Sequence, residues 1–235
     1  MNVTRRAMIS AAGLALLTVT GCSEKPAASK SEKQPDSNAG QAKVDKPKQL
    51  ELVESGYSVT DNGYVMYGVA IKNPNADFEA QFPSFTITGK ADDGSIVFSD
   101  KQTCRVVFPG ETMHYGFQAG NGVPPASVEF SLQDPKWVES NGLSGELLTI
   151  SNTSEVPGRY GNTSFTGELS VNSDVDKDVI RQVALTVITR DESGAINFGT
   201  TTFCEMPNMN QSVPFDIPAY STPAHSSYEI YAQVW

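Results

Sequence analysis

Two stretches decide how this chain is read: "GSIVFSDKQTC", Gly94–Cys104, and "GAINFGTTTFC", Gly194–Cys204. Each runs from a glycine through an apolar pair, Ile96 and Phe98 or Ile196 and Phe198, to a cysteine ten residues on. Sliding the chain along itself by 100 residues, without gaps, extends the match. Thr86, Ala119, Ser127, Glu129 and Gln133 recur as Thr186, Ala219, Ser227, Glu229 and Gln233. Apolar positions follow: Phe85 with Leu185, Ile87 with Val187, Tyr115 with Phe215, Phe117 with Ile217, Phe130 with Ile230. Upstream, Tyr67-Gly68 and Asn73 align with Thr166-Gly167 and Asn172 at an offset of 99. Self-similarity of this kind means a duplicated structural unit. The two cysteines are one position seen twice.

Within each copy the local pattern is β. "YVMYGVAIKN" is rich in Val, Tyr and Ile, and "SVEFSL" alternates Val128, Phe130 and Leu132 with polar residues. "ADDGS" and "DESGA" place Asp, Ser and Gly where a tight hairpin needs unusual backbone angles. No stretch keeps a helical period with caps for three turns. The expectation is an all-β chain of two tandem immunoglobulin-like antiparallel β-sandwiches, each of six or seven short strands. The boundaries read as residues 50–133 for the first sandwich, 134–146 for a connection rich in Pro, Asn and Gly, and 147–235 for the second.

"VITRDESG", Val187–Gly194, resembles the turn region of FxLYD-type domains, sandwiches of bacterial surface lipoproteins. Asp191 and Gly194 match that motif, while Val187, Thr189 and Arg190 replace its Phe, Leu and Tyr. The first copy keeps Gly94 but has Ala91 for the aspartate. Pro109, Gly110 and Tyr115 resemble the family's Pro-Gly turn followed by an aromatic; the second copy has Met209, Asn210 and Phe215 there. The resemblance implies a fold and a cell-surface location rather than an activity.

The N-terminal residues agree with that location. "MNVTRRAMISAAGLALLTVTGC" has a basic start, a short apolar run and small residues before Cys22. It reads as a secretion signal over 1–21, too short and too rich in Gly and Thr for a membrane span. Val19-Thr20-Gly21-Cys22 resembles the lipobox of bacterial lipoproteins, which implies a diacylglyceryl (palmitate-type) anchor on Cys22. Arg5-Arg6 suits either a twin-arginine export motif, with Met8 where Phe is favoured, or the charged start of a general secretory signal. Residues 23–49 contain no aromatic residue and one β-branched residue, Val44, so they read as a disordered tether.

Charge and motifs then narrow the function. Residues 50–235 carry nine Lys or Arg against 23 Asp or Glu, a surface that repels nucleic-acid backbones. No GxSxG, HExxH, Walker A or CxxC motif is present, and no enzyme is expected. His114 and His225 fall at non-equivalent positions of the repeat and read as ordinary surface or core residues. Asp174, Asp176 and Asp178 in "NSDVDKDV" alternate as calcium ligands can, but without an EF-hand glycine or distal glutamate; a solvated loop explains them without a ligand. No other cofactor is indicated. Cys104 and Cys204 either form a disulfide between the copies or remain two buried thiols. Trp137 and Trp235 each follow a last strand and read as edge residues packed into the neighbouring copy.

The expected function is a non-catalytic binding or scaffolding role for a lipoprotein held outside the cytoplasm by its lipid anchor. Its partners would be an envelope protein or wall polymer. A calcium or small-ligand module is the first alternative, and an enzyme built from dispersed carboxylates is the second.

Overall fold

A computed structural model of the chain describes residues 46–140, 142, 147–158, 162–173 and 180–235. The described part is all-β and antiparallel throughout. In the first copy, β1 (Glu51–Val59), β2 (Val65–Lys72) and β7 (Thr112–Ala119) form one sheet in the order β1-β2-β7. Facing it are β4 (Ser84–Lys90), β5 (Ile96–Thr103) and β8 (Ser127–Gln133), in the order β5-β4-β8. A small third sheet joins β3 (Phe78–Gln81), β6 (Val106–Val107) and β9 (Lys136–Glu139). The segment read as a connection therefore begins with a strand: Trp137 pairs with Ala80.

The second copy repeats the two main sheets. One is β10-β11-β14, from β10 (Leu148–Pro157), β11 (Thr163–Val171) and β14 (Ser212–Ala219). The other is β13-β12-β15, from β12 (Gln182–Arg190), β13 (Ile196–Glu205) and β15 (Ser227–Val234). Registers agree in detail. Lys90 pairs with Ile96 and Ser127, and Arg190 pairs with Ile196 and Ser227, each after a bulge at the same place.

The upstream strand corrects the sequence alignment. Tyr67 pairs with Tyr57 and Phe117, and Phe165 pairs with Glu155 and Ile217. The ladders thus equate Tyr67 with Phe165, an offset of 98 where the letters suggest 99. The reason is parity: a one-residue slip would turn every core side chain to the opposite face. Tyr67 and Phe165 are both fully buried.

Turn chemistry is conserved between the copies by different residues. Asp191 Oδ1 accepts hydrogen bonds from the Ser193 amide (2.8 Å) and hydroxyl (2.6 Å). In the first copy, where Ala91 lacks that carboxylate, Asp93 Oδ1 accepts from the Ser95 amide (2.9 Å) and hydroxyl (2.6 Å). These bonds hold both carboxyls below the usual range, the serine hydroxyl contributing most. At the other turn, Gly110 has φ +73° and its counterpart Asn210 has φ +62°. Asparagine is the side chain that best tolerates this left-handed backbone, so the second copy keeps the turn without the glycine.

The four main sheets stack as layers within one compact unit. Val65, Tyr67, Val69 and Ile71 of β2 close a core against Phe85 and Ile87 of β4. Val183, Leu185 and Val187 of β12 close a second core against Phe165, Leu169 and Ile217. Burial distinguishes inner from outer layers. Strands β4 and β11 alternate, whereas β2 and β12 are buried along nearly their whole length because both faces are covered. The inner layers, β1-β2-β7 and β13-β12-β15, meet through small residues. A Cβ on Gly116 would run into the backbone of Gly199, so strands β7 and β13 approach as only glycines allow.

Polar and charged groups frame that seam. Thr186 and Thr201 share a buried hydroxyl pair at 2.8 Å, and the Gly116 amide donates to Thr201 Oγ1 at 3.3 Å. Arg190 reaches across to Glu54 (2.5 Å) while holding Glu229 of its own copy (2.9 Å). His114 stacks on Tyr231 with ring centroids 3.5 Å apart and planes 7° from parallel. Trp235 packs against the first copy's core and stacks on Tyr115, as expected of an edge tryptophan. Trp137 instead packs within its own copy.

The opposite face of β5-β4-β8 ends the stack. Where the seam has Ile188, Gly199 and Tyr231, this face has Thr88, Ser99 and Ser131. Hydroxyls stand on this outer face in place of those three seam residues.

Candidate functional site

Of the residues singled out in the sequence, Arg5, Arg6, Cys22, Asp174, Asp176 and Asp178 lie outside the described residues. Cys104 and Cys204 are described, and both are free thiols. They lie in different cores. Cys104 is buried just after β5 among Tyr67, Phe85 and Tyr115, and burial pushes its thiol up to about 12. Cys204 is half-buried within β13, against the second core, and burial raises its thiol as well. The duplicated position thus contributes one small packed side chain to each core.

The two histidines sit apart. His225 Nδ1 lies 3.0 Å from the Pro223 carbonyl and Nε2 lies 3.2 Å from Glu155, which anchors the β14–β15 loop to β10. His114 lies in the seam, where burial lowers its imidazole to about 4; Glu229 and Glu54 oppose that shift and Arg190 adds to it. His225 thus has a carboxylate partner, Glu155, and His114 a ring partner, Tyr231. Among the described residues, no three His, Cys, Asp or Glu converge as metal ligands. No helix among them is long and apolar enough to cross a membrane.

The concavity with binding character lies at one end of the seam. It encloses about 350 Å³. Three segments build it. The β1–β2 turn is held by the Thr60 amide donating to the Tyr64 carbonyl (2.8 Å) and the Tyr64 amide donating to Thr60 Oγ1 (3.1 Å). This turn presents Asn62 and Tyr64 to the cavity, and β7 adds Phe117 and Gln118. From the second copy come Thr200–Thr202 of β13 and Pro218, Tyr220 and Ser221, where β14 enters its loop with Ser221 at φ +57°. Met66 closes the cavity and also belongs to the second copy's core, which ties it to the packing of both halves.

The lining chemistry is narrow. Phe117 is 47% exposed and Tyr220 63%, although both belong to the concave wall. Every polar side chain there is a hydroxyl or an amide, and no Lys, Arg, Asp or Glu lines it. The duplication supplies an internal reference. Thr200 and Thr201 stand where the first copy has Asp100 and Lys101, and Tyr220 stands where it has Gly120. These differences remove charge from the cavity and add an aromatic ring to it.

Sequence reasoning missed this site because its parts are far apart in the chain and none is a motif. A second concavity, of about 70 Å³ beside His114, Tyr231 and Val107, has room for little more than water. In comparison with known proteins, no family model and no curated protein matches the chain.

Proposed function

We propose that this chain is a lipid-anchored extracytoplasmic protein of the bacterial cell envelope, acting without catalysis by binding a ligand or partner between its two β-sandwich copies. The anchor is a diacylglyceryl group on Cys22, and residues 23–49 form the tether. Export follows the signal in residues 1–21, and the FxLYD-like turn residues support a surface lipoprotein. The observation that carries the binding reading is the uncharged, aromatic-walled cavity of about 350 Å³. That is within the size range of small-ligand sites, about 300–1,000 Å³. Both copies contribute walls, so the close seam holds the site's two halves in place.

Two measurements test the proposal. Metabolic labelling with an alkyne fatty acid should mark the wild-type chain and not Cys22→Ala; equal labelling would remove the anchor. For the binding role, a photo-crosslinking residue is placed at Tyr220 in cells, with one at Ser131 on the polar outer face as control. Adducts specific to position 220 are expected. Adducts equal at both positions, or none at 220, would remove the cavity as the working surface.

A further inference from the structure

We infer that the cavity takes an uncharged, polyhydroxylated ligand, a neutral saccharide, in an inference that rests on the binding role proposed above. The first argument is electrostatic. The chain has a formal net charge of −10, yet the cavity wall carries no charged side chain. An anionic ligand would enter an acidic protein and meet no cation; a cationic one would be desolvated without a carboxylate opposite it. Neutral ligands escape both penalties. Thr200 and Thr201, which line the cavity where the first copy has Asp100 and Lys101, point the same way.

The second argument is the pairing of surfaces. Phe117 and Tyr220 leave broad ring area in water within a concave wall, and Tyr64 adds a third ring. A ring face is electron-rich, so it favours the weakly positive C–H groups on one side of a pyranose. Around the rings stand Asn62, Gln118 and Thr202, whose amides and hydroxyl all both donate and accept. Sugar hydroxyls also do both, and each can therefore be satisfied at many orientations. A proline-rich peptide would use the rings too, but it offers mainly carbonyl acceptors, leaving much of this donor-and-acceptor set without partners.

The test is calorimetric titration of the full-length protein in a sugar-free detergent. The probes are cellotetraose, maltotetraose, mannotetraose and the tetramer of N-acetylglucosamine, beside tetragalacturonate and a proline-rich decapeptide. At least one of the four neutral tetrasaccharides should bind. Tyr220→Ala and Phe117→Ala should each weaken it by about three- to ten-fold, the loss of one ring contact, with the melting temperature nearly unchanged. Tyr220 is exposed enough that its removal leaves the fold intact. Binding of the peptide or the galacturonate instead, weakened by Tyr220→Ala, would overturn the neutral-saccharide class and keep the cavity as a site. Absence of binding by any neutral probe overturns the inference. Neutral-sugar binding indifferent to both substitutions overturns it equally. A crosslinker at 220 that also captures nothing would overturn the binding role with it.

Discussion

Ile196 and Ile96 occupy the same position of the two copies, yet Ile196 is 4% exposed and Ile96 is 66% exposed. Their strands, registers and turn chemistry are alike, so the difference arises outside each copy. Ile196 lies against Gly56 and Gly68 of the first copy, where those strands offer no side chain. Nothing covers Ile96 in the same way, since its sheet forms the outermost layer. Ile196→Ala should destabilise the fold by about 2–5 kcal/mol through the cavity it leaves. Ile96→Ala should stay within about 0.5 kcal/mol, as surface changes do. Urea midpoints of the two variants give the comparison, and equal shifts would refute the layered seam.

Acid sensitivity should follow from His114. Burial lowers its imidazole from 6.5 to about 4 in the folded protein. The unfolded chain then binds the extra proton first, so stability is full above pH 6.5 and falls as pH drops toward 4. That shift corresponds to at most about 3 kcal/mol. Glu229 and Glu54 oppose that shift, and Arg190, ion-paired to both, adds to it. His114→Phe keeps an aromatic ring on Tyr231 and removes the titration. Denaturation midpoints measured from pH 4 to pH 7 should slope less in this variant than in the wild type. An unchanged slope would show that other groups govern the acid limb.

Much of this architecture was legible because β-structure writes itself in a period of two and the duplication repeats it. Phe85 with Leu185 and Ile87 with Val187 match as apolar positions of the repeat, and all four are buried. The strand around Tyr67 could not be matched this way, because shared letters favoured an offset of 99 while side-chain parity demands 98. Identity carries no information about which face a residue uses. The cavity was illegible for a related reason. Its signal lies in where the copies differ, Gly120 against Tyr220 and Asp100 against Thr200, and matching looks for agreement. His114 gave no hint of its burial, since the seam that encloses it is tertiary.

The thiols should behave according to their separate cores. With both sulfhydryls free, unfolding in the absence of reductant should expose Cys104 and Cys204 to a thiol reagent. In the native state Cys204 should react before Cys104, because it is half-buried and Cys104 is deeply buried with a thiol at about 12. The reactive species is the thiolate, so burial slows each by suppressing ionisation as well as access. Mass spectrometry of timed labelling reads the order. Failure of both to label after unfolding would establish the disulfide instead.

A buried amide pair holds the chain that enters β1, and this can be tested at a single peptide bond. Asn73 is fully buried and its Nδ2 donates to the Phe78 carbonyl (2.7 Å) and the Val107 carbonyl (3.0 Å). Its Oδ1 accepts from the Asn75 amide (3.0 Å) and from Asn75 Nδ2 (2.9 Å). Asn75 in turn clamps Lys48 on both sides, accepting from its amide (2.7 Å) and donating to its carbonyl (2.8 Å). The chain entering β1 is thus held by side chains before the sheet ladder begins. Asn75→Ala removes that clamp while leaving the ladder of β1 and β2 intact. Trypsin should then cut after Lys48 faster than in the wild type, with a small loss of global stability. Asn73→Ala strips partners from several buried groups at once and should cost roughly 2–4 kcal/mol. If cleavage after Lys48 is equally fast in the wild type and in Asn75→Ala, the order at that entrance comes from the sheet alone.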